Sequence, residues 1–137
     1  MLKPLKIGDI EIGFPVVLGA LAGYSDMPYR LICRFLSAPY CASEAMLDRQ
    51  VSAEGKLRRR LVRLDAGDHP VAGQIMGNDP KVMAAAAVVL REAGFDVIDL
   101  NFACPVRKVV SKKRGGYFMG DPEAALEIIR EVVRTVP

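Results

Sequence analysis

Histidine is almost missing from this sequence: its 137 residues include one, His69. Zinc hydrolase sites and Ser-His-Asp triads therefore have little to be built from. Cysteine is scarce too. Cys33, Cys41 and Cys104 are odd in number and show no CxxC spacing, which excludes a disulfide framework and leaves no metal centre expected. Reduced thiols in a cytoplasmic protein are the expectation. No apolar run approaches the roughly 20 residues that cross a bilayer, so no membrane partner is expected. The opening Met1-Leu2-Lys3-Pro4-Leu5-Lys6 carries charge, but Gly8, Asp9 and Glu11 interrupt any apolar stretch behind it, and it does not read as a signal peptide. Linkers and low-complexity segments are absent as well, which leaves one domain.

What is present is the composition of a soluble globular chain, 51% hydrophobic and 26% charged, with enough length to bury a core. The net charge of +3 is mild, but the cations are grouped. Lys56, Arg58, Arg59, Arg60 and Arg63 form one cluster, and Arg107, Lys108, Lys112, Lys113 and Arg114 form another. Grouped cations suit a polyanion such as nucleic acid, although either cluster alone also fits a solvated face.

Short apolar runs alternate with helical stretches, the pattern of βα units on a parallel sheet. Val16 to Ala20 reads as a first strand, followed by a Gly/Ser/Asp loop and a helix through Tyr29 to Leu36. Tyr40 to Glu44 reads as a second strand, and Asp48 to Asp68 as a loop with a short basic helix. Val71 to Ile75 is the third strand. The helix after it has Asp79 at the N-cap, Pro80 in the first turn and Gly94 at its end, each residue suited to that place. Val97 to Asn101 is the fourth strand, and Asp121-Pro122 repeats the start signal before a last amphipathic helix. The fold class is thus α/β, of (β/α)8 TIM-barrel type. Four βα units make about half of the roughly 250 residues that such a barrel needs. An open nucleotide-binding sheet would carry GxGxxG after the first strand; Ala22-Gly23-Tyr24-Ser25-Asp26 does not.

In parallel α/β folds chemistry gathers at the carboxyl ends of the strands. There the sequence places Glu44, Gln74, Asn101 and Cys104. Strand parity sets Asp99 and Asn101 on one face, with Ile98 and Leu100 on the other. If the apolar pair packs beneath the helices, Asn101 faces the site, where an amide can meet a ring's carbonyl and N–H together. Cys33, on the apolar side of a helix, and Cys41, opening a strand, read as core. Cys104 follows Asn101 in a loop. Most cysteines are inert small hydrophobes, but a thiol ordinarily keeps its proton at neutral pH, which suits a general acid.

The run Asp99-Leu100-Asn101-Phe102-Ala103-Cys104-Pro105-Val106-Arg107-Lys108-Val109 resembles the signature of tRNA-dihydrouridine synthases. Ala20 through Arg30 resembles that family's first-strand motif. Ser43-Glu44-Ala45-Met46 and Gln74-Ile75-Met76-Gly77-Asn78-Asp79-Pro80 resemble its second and third strand ends. The resemblance, which spans nearly the whole chain, implies that residues 1–137 are the N-terminal half of a flavin-binding (β/α)8 barrel. It implies FMN, reduced by NADPH, passing hydride to C6 of a tRNA uracil while a cysteine protonates C5. By motif, Ala20, Leu21 and Ala22 line the flavin, and Gln74 hydrogen-bonds its ring. Asn101 orients the uracil, Cys104 is the proton donor, and Lys108 supports the loop or a phosphate.

The chain departs from that pattern at Ala20-Leu21, where the family has Pro-Met, and at Phe102-Ala103, where it has Met-Gly. Lys113 and Tyr117-Phe118 are bulkier than usual. The family's fifth-strand lysine, the histidine after it, the late phosphate-gripping loops and the helical tRNA-binding domain have no counterpart before Pro137. An N-terminal portion or a truncated product is therefore expected. Two other readings compete: another flavin barrel, related to dihydroorotate dehydrogenase and acting on free pyrimidines, or a non-catalytic half-barrel that binds RNA or self-associates through its open edges.

Overall fold

The computed structural model describes residues 3–136; the readings that rest on Met1, Leu2 and Pro137 lie outside the described residues. The chain begins with an element absent from the sequence reading. β1 (Leu5–Ile7) and β2 (Ile10–Gly13) pair antiparallel, and Gly8 turns between them at a φ of +56°. Gly8 and Asp9, which break the apolar run, are thus the hairpin turn, and Glu11 lies in β2 opposite Lys6.

The strand expected over Val16 to Ala20 is a correction: it forms a single bridge, Leu18 beside Cys41. Leu18 N donates to Tyr40 O at 2.8 Å, and Ala42 N donates to Leu18 O at 2.9 Å. Its partner, β3 (Cys41–Ala42), is two residues long, so there is no longer ladder to join. Val16 and Val17 also stay 47% exposed, without the burial that stabilises a strand.

α1 (Met27–Phe35) starts where Asp26 accepts from Tyr29 N. Its sides are reversed from expectation. The fully buried residue is Arg30, whereas Ile32, Leu36 and Phe35, the last 88% exposed, face outward. The cause is Asp68, which lies in a 3-10 turn, Ala66–Asp68. Arg30 Nε and Nη2 both donate to its carboxylate, while Nη1 donates to Ser25 O at 2.9 Å. Arg34 adds donations to Asp68 O and Ala38 O. Cys33, expected in the core, is only half-buried, and Cys41 is fully buried.

The second expected strand is split. β3 aligns Ala42 with Ala72, and β4 (Met46–Leu47) aligns Met46 with Ile75. Four residue steps therefore oppose three, a one-residue bulge that redirects Ser43 to Ala45. The expected loop with a basic helix is two helices, α2 (Asp48–Ser52) and α3 (Lys56–Leu61), the latter carrying Arg58, Arg59 and Arg60.

β5 (Val71–Met76) is the central strand, parallel to β3 and β4 along one edge and to β6 (Val97–Leu100) along the other. α4 (Pro80–Ala93) covers it. Asp79 accepts from Lys81 N and Val82 N, and Gly94 closes the helix at a φ of +100°. Met83, Ala86, Ala87 and Leu90 of α4 pack on Val71 and Ile75, with Ile98 and Leu100 against the same cluster. Gly73 lets Leu90 and Phe95 approach, since a Cβ there would meet Leu90 at 2.8 Å. α5 (Arg107–Val110), a 3-10 turn at Gly115–Met119 and α6 (Pro122–Thr135), capped by Asp121, complete the chain. Ile128 and Val132 of α6 join the same core.

The opposite sheet face carries a smaller cluster in which Ile12 of the hairpin packs with Tyr40, Ala42 and Ala72, and Val97 beside them. Ala72 and Val97 share that face with Gln74 and Asp99, two residues further along each strand.

Candidate active site

Above the small cluster, Gln74 and Asp99 stand opposite each other in the β5–β6 register. Just past the end of β6, Asn101 N donates to Ile75 O at 2.9 Å and so continues the β5–β6 pairing by one residue. Asn101 therefore falls on the same face as Asp99, while Ile98 and Leu100 belong to the helix-side core. A cavity of about 480 Å³ opens here.

Of the seven residues to which the resemblance assigns a role, five line this cavity: Ala20, Ala22, Gln74, Asn101 and Cys104. Leu21 and Lys108 do not. Leu21 is half-exposed and tied into its own turn, its N–H donating to Ser25 Oγ at 2.8 Å. Lys108 lies in α5, exposed to solvent. Glu44 does not line the cavity either. The bulge turns it toward the first loop, where Glu44 Oε2 accepts from Gly23 N at 2.8 Å, and leaves Ala45 on the cavity wall.

The polar groups form a chain. Gln74 Nε2 donates to Asp99 Oδ2 at 2.7 Å, and Asn101 Nδ2 donates to Gln74 Oε1 at 2.8 Å. Asn101 Oδ1 then accepts from Ala103 N at 3.2 Å and Cys104 N at 3.1 Å. Both lone pairs of that oxygen are engaged, so Asn101 has one N–H left to offer. This corrects the expectation that it meets a carbonyl and an N–H together. Gln74 keeps one N–H and one lone pair, and it is the amide able to do so. Ser43, to which the resemblance assigns no role of its own within the Ser43–Met46 motif, fixes the backbone beneath it by accepting from Gln74 N at 3.0 Å.

Two glycines hold the cysteine loop. Gly116 N donates to Cys104 O at 2.9 Å, and a Cβ on Gly115 would lie 2.9 Å from Cys104 Cβ. Gly115 also adopts a φ of +55°, which glycine takes without strain. The bulky departures from the family pattern answer one another. Phe102 meets Phe118 edge to face with centroids 4.9 Å apart, and Tyr117 meets Phe118 at 5.6 Å, so a larger residue before the cysteine is packed by a larger one after the glycines.

Positive charge is arranged around the cavity rather than in it. Among the described residues its lining has one carboxylate, Asp99, and no cation. Below it, burial pushes the Tyr40 phenol up to about 12, with the carboxylates of Asp99 and Asp96 adding to the effect. The second basic cluster follows directly from the lining segment, beginning at Arg107 two residues after Pro105. Arg60 and Arg63 of the first cluster border a separate cavity of about 230 Å³ with Asp26, Ser43 and Glu44. Among the described residues no helix is long and apolar enough to cross a membrane.

Residues 17–137 match the family described as dihydrouridine synthase (Dus). Over 136 residues the chain is 35% identical to tRNA-dihydrouridine synthase B of Pseudomonas putida, covering 98% of this chain and 40% of that protein. It is 36% identical over 133 residues to tRNA-dihydrouridine synthase B of Pseudomonas aeruginosa, covering 96% and 40%. Against the protein of the same name from Escherichia coli K12 it is 36% identical over 134 residues, covering 96% and 41%. The chain thus spans about two fifths of the length of these relatives.

Proposed function

The chain belongs to the dihydrouridine synthase family, and on that premise we propose that it is the N-terminal half of a flavin-dependent (β/α)8-barrel enzyme that reduces uridine in tRNA to 5,6-dihydrouridine. The observation that carries this reading is the convergence of Gln74, Asn101 and Cys104 on one cavity at the carboxyl ends of parallel strands. Its setting is the cytoplasm, where tRNA is found and thiols stay reduced.

The lining fits the ring end of FMN. Ala20, Ala22 and Ala45 leave room for a planar ring, and the free N–H and lone pair of Gln74 match the donor–acceptor edge of such a ring. When bound, FMN reduced by NADPH supplies the hydride that is added at C6. Asn101 donates its remaining N–H to a carbonyl of the uracil and holds the ring against the cysteine loop. Cys104 gives its thiol proton to C5 and is reprotonated by water. To enter such a cavity the base must leave its stack, and the clusters around Arg60 and Lys108 would hold the surrounding phosphates by charge. The basic surroundings favour tRNA over a free pyrimidine.

A second reading accounts for a different observation. β6 pairs only with β5 among the described residues, leaving one edge free, and Ile32, Phe35 and Leu36 are exposed on α1. We propose that a second copy of the 137-residue chain covers these surfaces when the chain is on its own. Sedimentation should then give a dimer that Phe35→Glu returns to monomer; a monomeric parent chain overturns this.

The enzymatic reading is tested by counting dihydrouridine in tRNA from cells lacking the gene. Loss of the nucleoside at one or more positions is expected, and an unchanged count rejects the reading.

A further inference from the structure

The amide chain in the cavity has a direction, and each end of it fixes that direction. At one end the carboxylate oxygen of Asp99 accepts; at the other the backbone N–H groups of Ala103 and Cys104 can only donate. Between them Gln74 must turn its NH2 to Asp99 and its oxygen to Asn101, and Asn101 must turn its oxygen to the loop. Flipping Gln74 alone would set NH2 against NH2. Flipping Asn101 as well would set NH2 against two backbone N–H donors. The two amides therefore turn together or not at all.

We propose that Asp99 is a positioning residue: by accepting from Gln74 Nε2 at 2.7 Å it holds both amides in one orientation and, through Asn101, holds the backbone of the Cys104 loop. Asp99 adds no group of its own to the reacting atoms. Its charge makes the first hydrogen bond stronger than an amide–amide bond, and it removes the alternative orientation in which Gln74 would present an oxygen at the strand side. The inference rests on the proposed enzymatic reading only for its consequence, the placing of the donor thiol; the relay itself stands on the hydrogen bonds.

The test is residue-resolved amide hydrogen exchange on the 137-residue chain, which needs neither flavin nor RNA. In Asp99→Leu, which cannot accept, the amides of Ala103 and Cys104 should exchange at least fivefold faster, with the amides of α4 unchanged. Asp99→Asn, which can turn its oxygen to Gln74, should restore them to within twofold. Gln74→Met interrupts the relay at its middle with little change in volume and should reproduce the Asp99→Leu result if that variant folds poorly. Unchanged loop exchange in both relay variants overturns the proposal. So does an equal rise in α4 and the loop, or an Asp99→Asn variant no better than Asp99→Leu. Failure here leaves the uridine-reduction reading intact, and an unchanged dihydrouridine count leaves the relay intact.

Discussion

Gly116 N–H points at the carbonyl of Cys104, 2.9 Å away, and so binds the loop carrying the candidate acid to the turn that follows α5. The neighbouring Gly115 lies so close that a Cβ would meet both Cys104 Cβ and Cys104 O at 2.9 Å. Gly115→Ala should therefore displace the cysteine loop as well as strain a backbone held at a φ of +55°. A loss of about 1–3 kcal/mol is expected in urea unfolding. In a full-length enzyme the cost to uridine reduction should exceed the cost to flavin binding. A variant as stable and active as the parent contradicts this.

The buried pair of Arg30 and Asp68 carries a prediction of larger size. Both side chains are almost wholly buried, and among the described residues Asp68 is the one carboxylate that pairs with the guanidinium. Asp68→Ala leaves Arg30 enclosed without a counter-charge, a change that costs about 3–5 kcal/mol. Replacing both residues by apolar ones of similar volume should recover most of that loss, because the desolvation penalty goes with the charges. Equal destabilisation of the single and double variants would show that packing, not charge, is what matters there.

These two cases also show where sequence reading works in this chain and where it stops. Asp79-Pro80 and Asp121-Pro122 announce their helices because a cap is a local event, a side chain meeting amides two or three residues on. Gln74, Asn101 and Cys104 were legible because strand parity and the end of a run locate a residue without knowledge of its neighbours. Arg30 inverts α1 because its partner is 38 positions away, beyond any periodicity. The strand at Val16 to Ala20 fails because strand residues need a partner ladder, and β3 provides two residues. The engagement of both lone pairs of Asn101, and the need for Gly115, depend on contacts across the loop that appear only once the chain is folded.

Asp48 predicts an effect of pH. It is fully buried after β4; its Oδ1 accepts from Arg49 N at 2.7 Å, and its Oδ2 lies against Gly77 with no hydrogen-bond partner among the described residues. Burial raises its pKa, more than the Arg49 amide and the charge of Arg114 lower it. The folded state therefore binds this proton more tightly than the unfolded state, and the contribution of Asp48 to stability falls as pH rises from about 4. Asp48→Asn should be more stable than the parent at neutral pH by about 1 kcal/mol, with the advantage shrinking on acidification toward the ordinary carboxylate range. Urea titrations at neutral and mildly acidic pH decide it; an Asn variant less stable at neutral pH refutes it.

Flavin affinity separates what this chain supplies from what it lacks. The cavity lining offers an amide edge and small side chains for a ring but no cation for a phosphate, and a phosphate monoester is held mainly by charge-assisted hydrogen bonds. The 137-residue chain should therefore bind FMN weakly and discriminate poorly between FMN and riboflavin, whereas a full-length enzyme should prefer FMN strongly. Fluorescence titration with both ligands measures the difference, and a short chain that purifies yellow with stoichiometric FMN contradicts it. In the full-length enzyme Cys104→Ala should keep the flavin, because the role proposed for the thiol is to give a proton and not to support the ring. Uridine reduction should fall by about 10²–10⁴-fold, the usual span for loss of a general acid. Activity retained by that variant would transfer the proton to another group and remove the role assigned to Cys104.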